Sequence, residues 1–276
     1  MDVIDSIERA LSPGLRAALN RHAGRTVVVK LGGSVGPGET VLQEVAWLRA
    51  LGAQPVLVHG GGPLITDWLK RIGKETRFVD GLRYTDAETL DVVRMVLVGL
   101  VNTELVARLG ALGAPAWGLC GADGRLLQAS IRDPRLGLVG EIERVDVALL
   151  RLLVERGYVP VIAPIAASAD GQCLNVNADT VAGAVAEALG ASELVFLTDV
   201  PGIQDGAGAQ LARLTGAECA RLAVEGVIHG GMLPKVQACQ RAAAAGATSR
   251  IVDGRPAYAL VNDLAAAASG GTTIVA

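Results

Sequence analysis

Thr26-Val27-Val28-Val29-Lys30-Leu31 runs into Gly32-Gly33-Ser34, and Pro55-Val56-Leu57-Val58-His59 runs into Gly60-Gly61-Gly62-Pro63. Each is a short, unbroken, β-branched apolar run without polar alternation, which predicts a strand covered on both faces. Glu39 to Leu51 between them, and Leu64 to Ile72 after them, carry apolar residues at helical spacing. Strand, glycine turn and helix, twice over, predict parallel strands joined by crossover helices on both faces of a sheet. Ligands of such sheets bind beyond the carboxyl ends of the strands, where a glycine turn lets N–H groups at a helix start face an anion. The glycine runs that decide the fold therefore also mark where the chemistry belongs.

The pattern continues along the chain. Strand-like runs at Ala116 to Leu119, Leu126 to Ala129, Val159 to Ile165, Leu194 to Thr198, Ser249 to Val252 and Thr272 to Val275 alternate with helical patterns. The helical ones lie at Val147 to Arg156, Asp179 to Leu189, Ala217 to Val224, Leu233 to Ala244 and Tyr258 to Ala268. Thr85-Asp86-Ala87-Glu88 reads as a capping box, with Thr85 accepting from the Glu88 N–H, at the head of a long helix towards Leu112. Met1 to Arg25 reads as an amphipathic helical extension carrying Ile4, Ile7, Leu11, Leu15 and Leu19, interrupted at Ser12-Pro13-Gly14. No long polar linker occurs, so any two lobes are expected to share one continuous sheet.

Composition narrows the class. Of 276 residues, 51% are apolar and only 19% charged, enough for a large core. No run approaches the roughly 20 apolar residues that span a bilayer, and Met1 to Ala10 lacks a basic segment followed by an apolar one. A soluble, cytoplasmic protein without a membrane partner is the expectation. Net charge is -3 with lysine and arginine scattered, and aromatics make up 3%, a poor footprint for nucleic acid. Cys120, Cys173, Cys219 and Cys239 form no C-x-x-C and have no histidine at metal spacing, so they read as reduced thiols.

Several positions carry candidate chemistry. Lys30, at a strand end before a glycine pair, is placed for phosphate oxygens, although Lys-x-Gly-Gly alone reads equally as a structural turn. Three consecutive glycines after His59 remove side chains where something must approach closely, and His59 itself reads as a hydrogen-bonded scaffold residue. Arg83, in Val79-Asp80-Gly81-Leu82-Arg83, could clamp a carboxylate, as it could make a surface ion pair. Asn175-Val176-Asn177-Ala178-Asp179 holds more short polar side chains than a helix cap requires. Lys235 follows Gly230-Gly231-Met232-Leu233-Pro234 at a helix start, where the helix dipole gives a cation little, so a functional role is favoured. No G-x-x-x-x-G-K-[ST] and no G-x-G-x-x-G is present. Gly32-Gly33-Ser34-Val35-Gly36 mimics a hydrolase elbow with Ser34 as nucleophile, but it follows the first strand and precedes the HGGG segment, the reverse of the esterase order.

Taken in order, Lys30-Leu31-Gly32-Gly33, His59 to Pro63, Val79 to Arg83, Asn175 to Asp179, Thr198-Asp199-Val200-Pro201-Gly202 and Gly230 to Lys235 resemble the amino-acid-kinase family. Met95 to Asn102 is a further similar stretch, and the likeness runs from about Thr26 to Ala276. The resemblance implies an α/β fold: a three-layer αβα sandwich with a central mainly parallel sheet. It also implies a helical extension at 1–25, a lobe for acyl substrate and dimerisation at 26–174, and an ATP lobe at 175–276. The implied reaction moves the γ-phosphoryl group of ATP, with Mg2+, to the side-chain carboxylate of N-acetyl-L-glutamate in arginine biosynthesis. Such a carboxylate is already ionised at neutral pH and needs no general base.

By the same resemblance, Lys30 and Lys235 stabilise the transferring group from different sides, Asp179 orients both, and Gly32, Gly33, Gly61 and Gly62 donate backbone N–H groups. Arg83 and Asn175 hold the substrate's α-carboxylate and acetamido group. Thr198, Asp199, Val200, Pro201, Gly202, Ile203 and Gln204, with Val227, Ile228 and His229, line the nucleotide. Mg2+ is expected on phosphates and water, with no direct protein ligand. A homodimer is implied, and the N-terminal helix resembles one that joins dimers into hexamers in some members. Arg250, Asn262-Asp263-Leu264-Ala265 and Ser269-Gly270-Gly271-Thr272 depart from the arginine-inhibited members, which leaves hexamer formation and arginine feedback open. The segment from Gly33 to His59 is shorter than the family pattern, so the loop at Ser34 to Thr40 is expected to close differently. A kinase for aminoadipate or glutamate held on a carrier protein is the nearest alternative, and an esterase using Ser34 a distant one.

Overall fold

The computed structural model describes residues 3–32, 39–265 and 270–276. The N-terminal extension is a pair of helices, α1 (Val3–Ala10) and α2 (Pro13–Leu19), separated where the Ser12 side chain accepts from the Leu15 amide. Next come β1 (Thr26–Leu31), α3 (Glu39–Ala50), β2 (Gln54–His59) and α4 (Gly62–Arg71), in the predicted order. A hairpin, β3 (Phe78–Val79) and β4 (Leu82–Arg83), leads into α5 (Ala87–Arg94), which continues through π-helical turns at Met95–Asn102 into α6 (Thr103–Ala111). The middle of the chain supplies β5 (Ala116–Cys120), β6 (Leu127–Ile131), β7 (Gly140–Val145), α7 (Ala148–Glu155), β8 (Val159–Ala163), β9 (Ile165–Ala167) and β10 (Cys173–Asn175). The remainder is α8 (Ala178–Leu189), β11 (Glu193–Thr198), β12 (Arg213–Thr215), α9 (Gly216–Val224), α10 (Met232–Ala244), β13 (Thr248–Asp253), α11 (Ala259–Ala265) and β14 (Gly271–Val275).

Eight strands form one sheet in the order β12-β14-β13-β11-β1-β2-β8-β5, parallel throughout except for β13 against β14. The two-residue period of β1 divides its side chains between two cores. Val28 packs in the core made with α7, α8, α9 and α10, whereas Val27, Val29 and Leu31 face the one made with α3, α6 and α11. The result is the expected αβα sandwich. β1 has β2 on one side and β11 on the other, so the chain leaves it in both directions and its carboxyl end is a topological switch point. Among the described residues no helix is long and apolar enough to cross a membrane.

Two local expectations change. Thr85 does not cap a helix: Asp86 accepts from the Thr89 amide at the head of α5, while the buried Thr85 hydroxyl donates to the Arg83 carbonyl at 2.9 Å. Lys74 lies 2.9 Å from Asp86 and 2.6 Å from Glu88, which holds that carboxylate pair away from the box arrangement. Val159 to Ile165 is two strands broken at Pro164, and β9 turns away into a second, four-stranded sheet, β10-β9-β6-β7. That small sheet packs Leu127, Ala129, Ile142 and Leu174 into the same core as α8 and sets Asn175 at the edge of the cleft. The helix expected over Tyr258 to Ala268 is present as Ala259–Ala265, and its last expected residues, 266–268, lie outside the described residues.

Candidate functional site

Lys30 and Val28 share one face of β1, and α8 lies across that face. Asp179 sits in the first turn of α8, 5% exposed, and its Oδ1 is 2.7 Å from Lys30 Nζ. Its Oδ2 is 2.8 Å from the Nζ of Lys235, in the first turn of α10, and that ammonium also donates to the Gly231 carbonyl at 3.1 Å. Burial alone would raise the Asp179 carboxyl, but the two ammonium groups outweigh it and hold its pKa below the ordinary value. One carboxylate between two ammonium groups leaves a net positive charge in a place short of water, the condition under which an anion is held firmly. Asn177 is the cap of α8, its side-chain oxygen accepting from the Asp179 and Thr180 amides.

Lys30 lines a cavity of about 530 Å³ with Gly60, Gly61, Gly62, Thr66, Phe78, Arg83, Leu97, Asn175 and Asn177. Arg83 is buried against the ring of Phe78, 4.9 Å from its centroid, and donates to Gly62 O at 3.0 Å, Thr66 Oγ1 at 2.9 Å and Thr76 Oγ1 at 3.3 Å. Among the described residues no carboxylate pairs with it, and burial lowers its pKa from the usual value. Asn175 donates to the Thr85 hydroxyl at 3.1 Å, so the failed helix cap is in fact a support for this cavity wall. Among the described residues no Asp or Glu lines this cavity, which presents two cations, Lys30 and Arg83.

Gly61 closes the turn before α4. A Cβ there would stand 2.7 Å from Leu97 Cδ2, which is why the π-helical turns pack against a glycine. The first N–H groups of α4 have no carbonyl within the helix to receive them, and Pro63 contributes none. His59 is buried; its Nδ1 lies 3.0 Å from Gly60 O and its Nε2 3.1 Å from Asn102 Nδ2, and desolvation takes its pKa down to about 4. It is a neutral scaffold residue, as the sequence suggests. The Gly32 amide donates to Leu197 O at 3.0 Å and prolongs the β1–β11 ladder, so it is committed to the sheet. Gly33, and Ser34 of the hydrolase alternative, lie outside the described residues.

Lys235 lines a second cavity, about 760 Å³, with Thr198, Asp199, Val200, Gly202, Ile203, Gln204, Val227, His229 and the start of α10. Gly202 sits at φ +131° and a Cβ would stand 2.8 Å from Thr272 Oγ1, which itself accepts from the Ile203 amide at 2.8 Å. β14 thus fixes the loop after β11, a link the sequence reading did not find. Of the residues expected here, Ile228 is 1% exposed and packs in the core, and Pro201 offers its carbonyl to Gln210 Nε2 at 3.0 Å. Among the described residues no three His, Cys, Asp or Glu side chains gather to hold a metal ion.

Lys30 opens to one cavity, Lys235 to the other, and Asp179 joins them. Two cavities joined by a lysine–aspartate–lysine bridge, at the carboxyl edge of a mainly parallel sheet, define a protein that passes a charged group between two ligands. The model of the amino acid kinase family matches residues 25–253, and the chain belongs to that family. It is 47% identical over 266 residues to an acetylglutamate kinase of Synechococcus sp. (strain CC9311), covering 93% of each chain. An acetylglutamate kinase of Methanothrix thermoacetophila is 44% identical over 264 residues, covering 90% of this chain and 91% of its own. The solved structure of smu.665 from Streptococcus mutans UA159 superposes with a TM-score of 0.79 at 28% identity, over 91% of this chain and 98% of its own.

Proposed function

We propose that this chain transfers the γ-phosphoryl group of ATP to the side-chain carboxylate of N-acetyl-L-glutamate, the phosphorylation step of arginine biosynthesis. The observation that carries this reading is the smaller cavity, with a buried cation at Lys30, another at Arg83 and no carboxylate among its lining residues. A short acid with a carboxylate at each end matches that charge pattern, and the acetylated amine adds no cation to conflict with it. Arg83 takes the α-carboxylate, Asn175 the acetamido group, and the reacting carboxylate lies towards Lys30.

The nucleotide lies in the larger cavity, against the segments 198–204 and 227–229, with its phosphates towards Lys235 and the start of α10. The carboxylate is its own nucleophile, so the residues have alignment and charge neutralisation to supply. Lys30 neutralises charge from the acyl side and Lys235 from the nucleotide side, while Asp179 keeps both ammonium groups aimed at one point. The Gly61 and Gly62 amides donate to phosphoryl oxygens. Mg2+ would accompany ATP without a direct protein ligand and would supply neutralisation of nucleotide charge.

This assigns 26–174, together with the acyl-cavity residues from Asn175 to Ala178, to the acyl substrate and the remainder up to 276 to the nucleotide. A second copy of the chain is placed against edge strand β5 and the π-helical turns, where Trp117, Met95 and Leu100 are exposed. Light scattering on the full chain and on a chain lacking 1–25 reads dimer against hexamer.

Hydroxylamine traps acyl phosphates, so the decisive assay supplies Mg-ATP with N-acetyl-L-glutamate, glutamate, aspartate or N-acetyl-aminoadipate. Hydroxamate is expected with N-acetyl-L-glutamate alone. Silence with every free acid overturns the reading and moves the assignment to an acyl group carried on another protein.

A further inference from the structure

We propose that His59 and Asn102 are positioning residues for the transfer, holding the Gly60–Gly61 peptide so that the Gly61 amide faces the acyl cavity. The inference rests on the function proposed above. His59 does not line that cavity. It shares its side of β2 with Leu57, which packs in the α3 core, on the opposite face of the sheet from the side where Lys30 meets Asp179. Whatever it contributes passes through the backbone.

The hydrogen-bond roles are fully determined. A carbonyl oxygen only accepts, so the Nδ1 that lies 3.0 Å from Gly60 O carries the proton. The neutral ring then has a bare Nε2, which accepts from Asn102 Nδ2 at 3.1 Å. The second hydrogen of that amide goes to Val161 O on β8 at 2.8 Å, so the ring is anchored to the strand beside its own. Gly118 on β5 makes room: a Cβ there would stand 2.1 Å from Asn102 Oδ1.

In a planar trans peptide the C=O and the following N–H point in opposite directions. Fixing the Gly60 oxygen on the His59 side therefore aims the Gly61 N–H away from it, into the cavity that Gly61 and Lys30 both line. Two consecutive glycines give this peptide little preference of its own. A Cβ at Gly61 would stand 2.7 Å from Leu97 Cδ2, so a residue that stiffened the turn from within would have to displace that side chain. The hold has to come from outside the turn, and His59 supplies it.

The test separates the two ring nitrogens. His59→Asn places an amide N–H near the Nδ1 position and keeps a donor for Gly60 O; His59→Gln reaches the Nε2 position and lacks that donor. His59→Gln is expected to lower kcat on the order of 10², the usual effect of losing one transition-state donor. His59→Asn is expected to retain kcat to within about tenfold, with KM for ATP unchanged in both. Asn102→Ala, which leaves the ring but removes its anchor, lowers kcat by a smaller factor than His59→Gln. Crystal structures of the two His59 variants show the Gly60 carbonyl kept in His59→Asn and turned in His59→Gln. A kcat for His59→Gln equal to or above that of His59→Asn overturns the proposal, as does an unmoved carbonyl in His59→Gln or an unchanged kcat in Asn102→Ala. Wild-type protein that makes no hydroxamate from any free acid overturns the function instead, while the carbonyl orientation still decides whether His59 holds the turn.

Discussion

A Cβ on Gly183 would stand 2.7 Å from the Cβ of Ala238, so α8 and α10 cross with almost nothing between their backbones. Asp179 lies one turn before Gly183 on α8, and Lys235 one turn before Ala238 on α10. The closeness of the crossing is what lets the Lys235 ammonium reach the Asp179 carboxylate at 2.8 Å. Gly183→Ala should therefore cost about 1 to 3 kcal/mol by overpacking and reduce kcat as well. Adding Ala238→Gly should restore only part of both, because the Cα and O of Ala238 are themselves 2.8 and 3.0 Å from the new methyl position. Urea melts and steady-state rates on the single and double variants check this; full restoration would place the clash in the side chain alone.

Asp179→Asn leaves Lys30 buried without its counter-ion, and breaking a buried pair from one side typically costs about 3 to 5 kcal/mol. The folded-state pKa of Asp179 lies below its ordinary value, so this contribution is present above pH 3.8 and is lost as pH falls through the lower, folded value. Denaturant melts should show a gap between wild type and variant at pH 7 that narrows only in strong acid. Lys235→Ala, less buried, should mainly lower kcat and leave KM for the acyl substrate near the wild-type value.

Arg83 is a buried cation whose partners among the described residues are a carbonyl, two hydroxyls and an aromatic ring. Its removal orphans no carboxylate, so Arg83→Ala should change stability by no more than about 1 kcal/mol. KM for N-acetyl-L-glutamate should rise on the order of 10², and Arg83→Lys should recover little of it, since a lysine cannot keep that fork of contacts. An unchanged KM in Arg83→Ala would remove Arg83 from the substrate site.

Glu44 on α3 is fully buried, accepts from the Val261 amide of α11 at 2.9 Å, and is pushed up by desolvation to about 7. A carboxyl whose folded pKa is raised binds its proton more tightly when folded, so stability falls as pH rises from about 4.5 to 7. His59 works in the opposite sense: with its pKa lowered from 6.5 to about 4, stability rises with pH across that interval. Glu44→Gln should gain on wild type by something on the order of 3 kcal/mol between pH 5 and pH 8, read from melts at both pH values. A gap between them that does not change with pH would show Glu44 ionised throughout.

Lys30, Arg83, Asp179 and Lys235, which the structure places at the two cavities and the bridge between them, each stand out locally in the sequence, and the ordered set of motifs singled them out together. A lysine interrupts a β-branched run, an arginine follows a glycine turn, an aspartate exceeds the needs of a cap, and a second lysine opposes a helix dipole. Thr85 misled for the same local reason: its sequence fits a capping box, but burial beside Asn175 and the competing cap of Asp86 give its hydroxyl other work. Asn102 gave one weak signal, an amide at the end of the apolar run Met95 to Asn102, and nothing near it in sequence identifies His59 as its partner.

The sequence by itself determined most strands of the large sheet, the glycine turns after β1 and β2, and the alternation that makes a parallel sheet, because steric period and backbone freedom act within a few residues. Only the tertiary structure decided that β1 lies beside β11, with Lys30 opposite Phe196, and that α8 and α10 bring one carboxylate between two lysines. Pairing of distant strands and the desolvation of charges both depend on which elements finally pack together, and no local stretch of this chain contains that information.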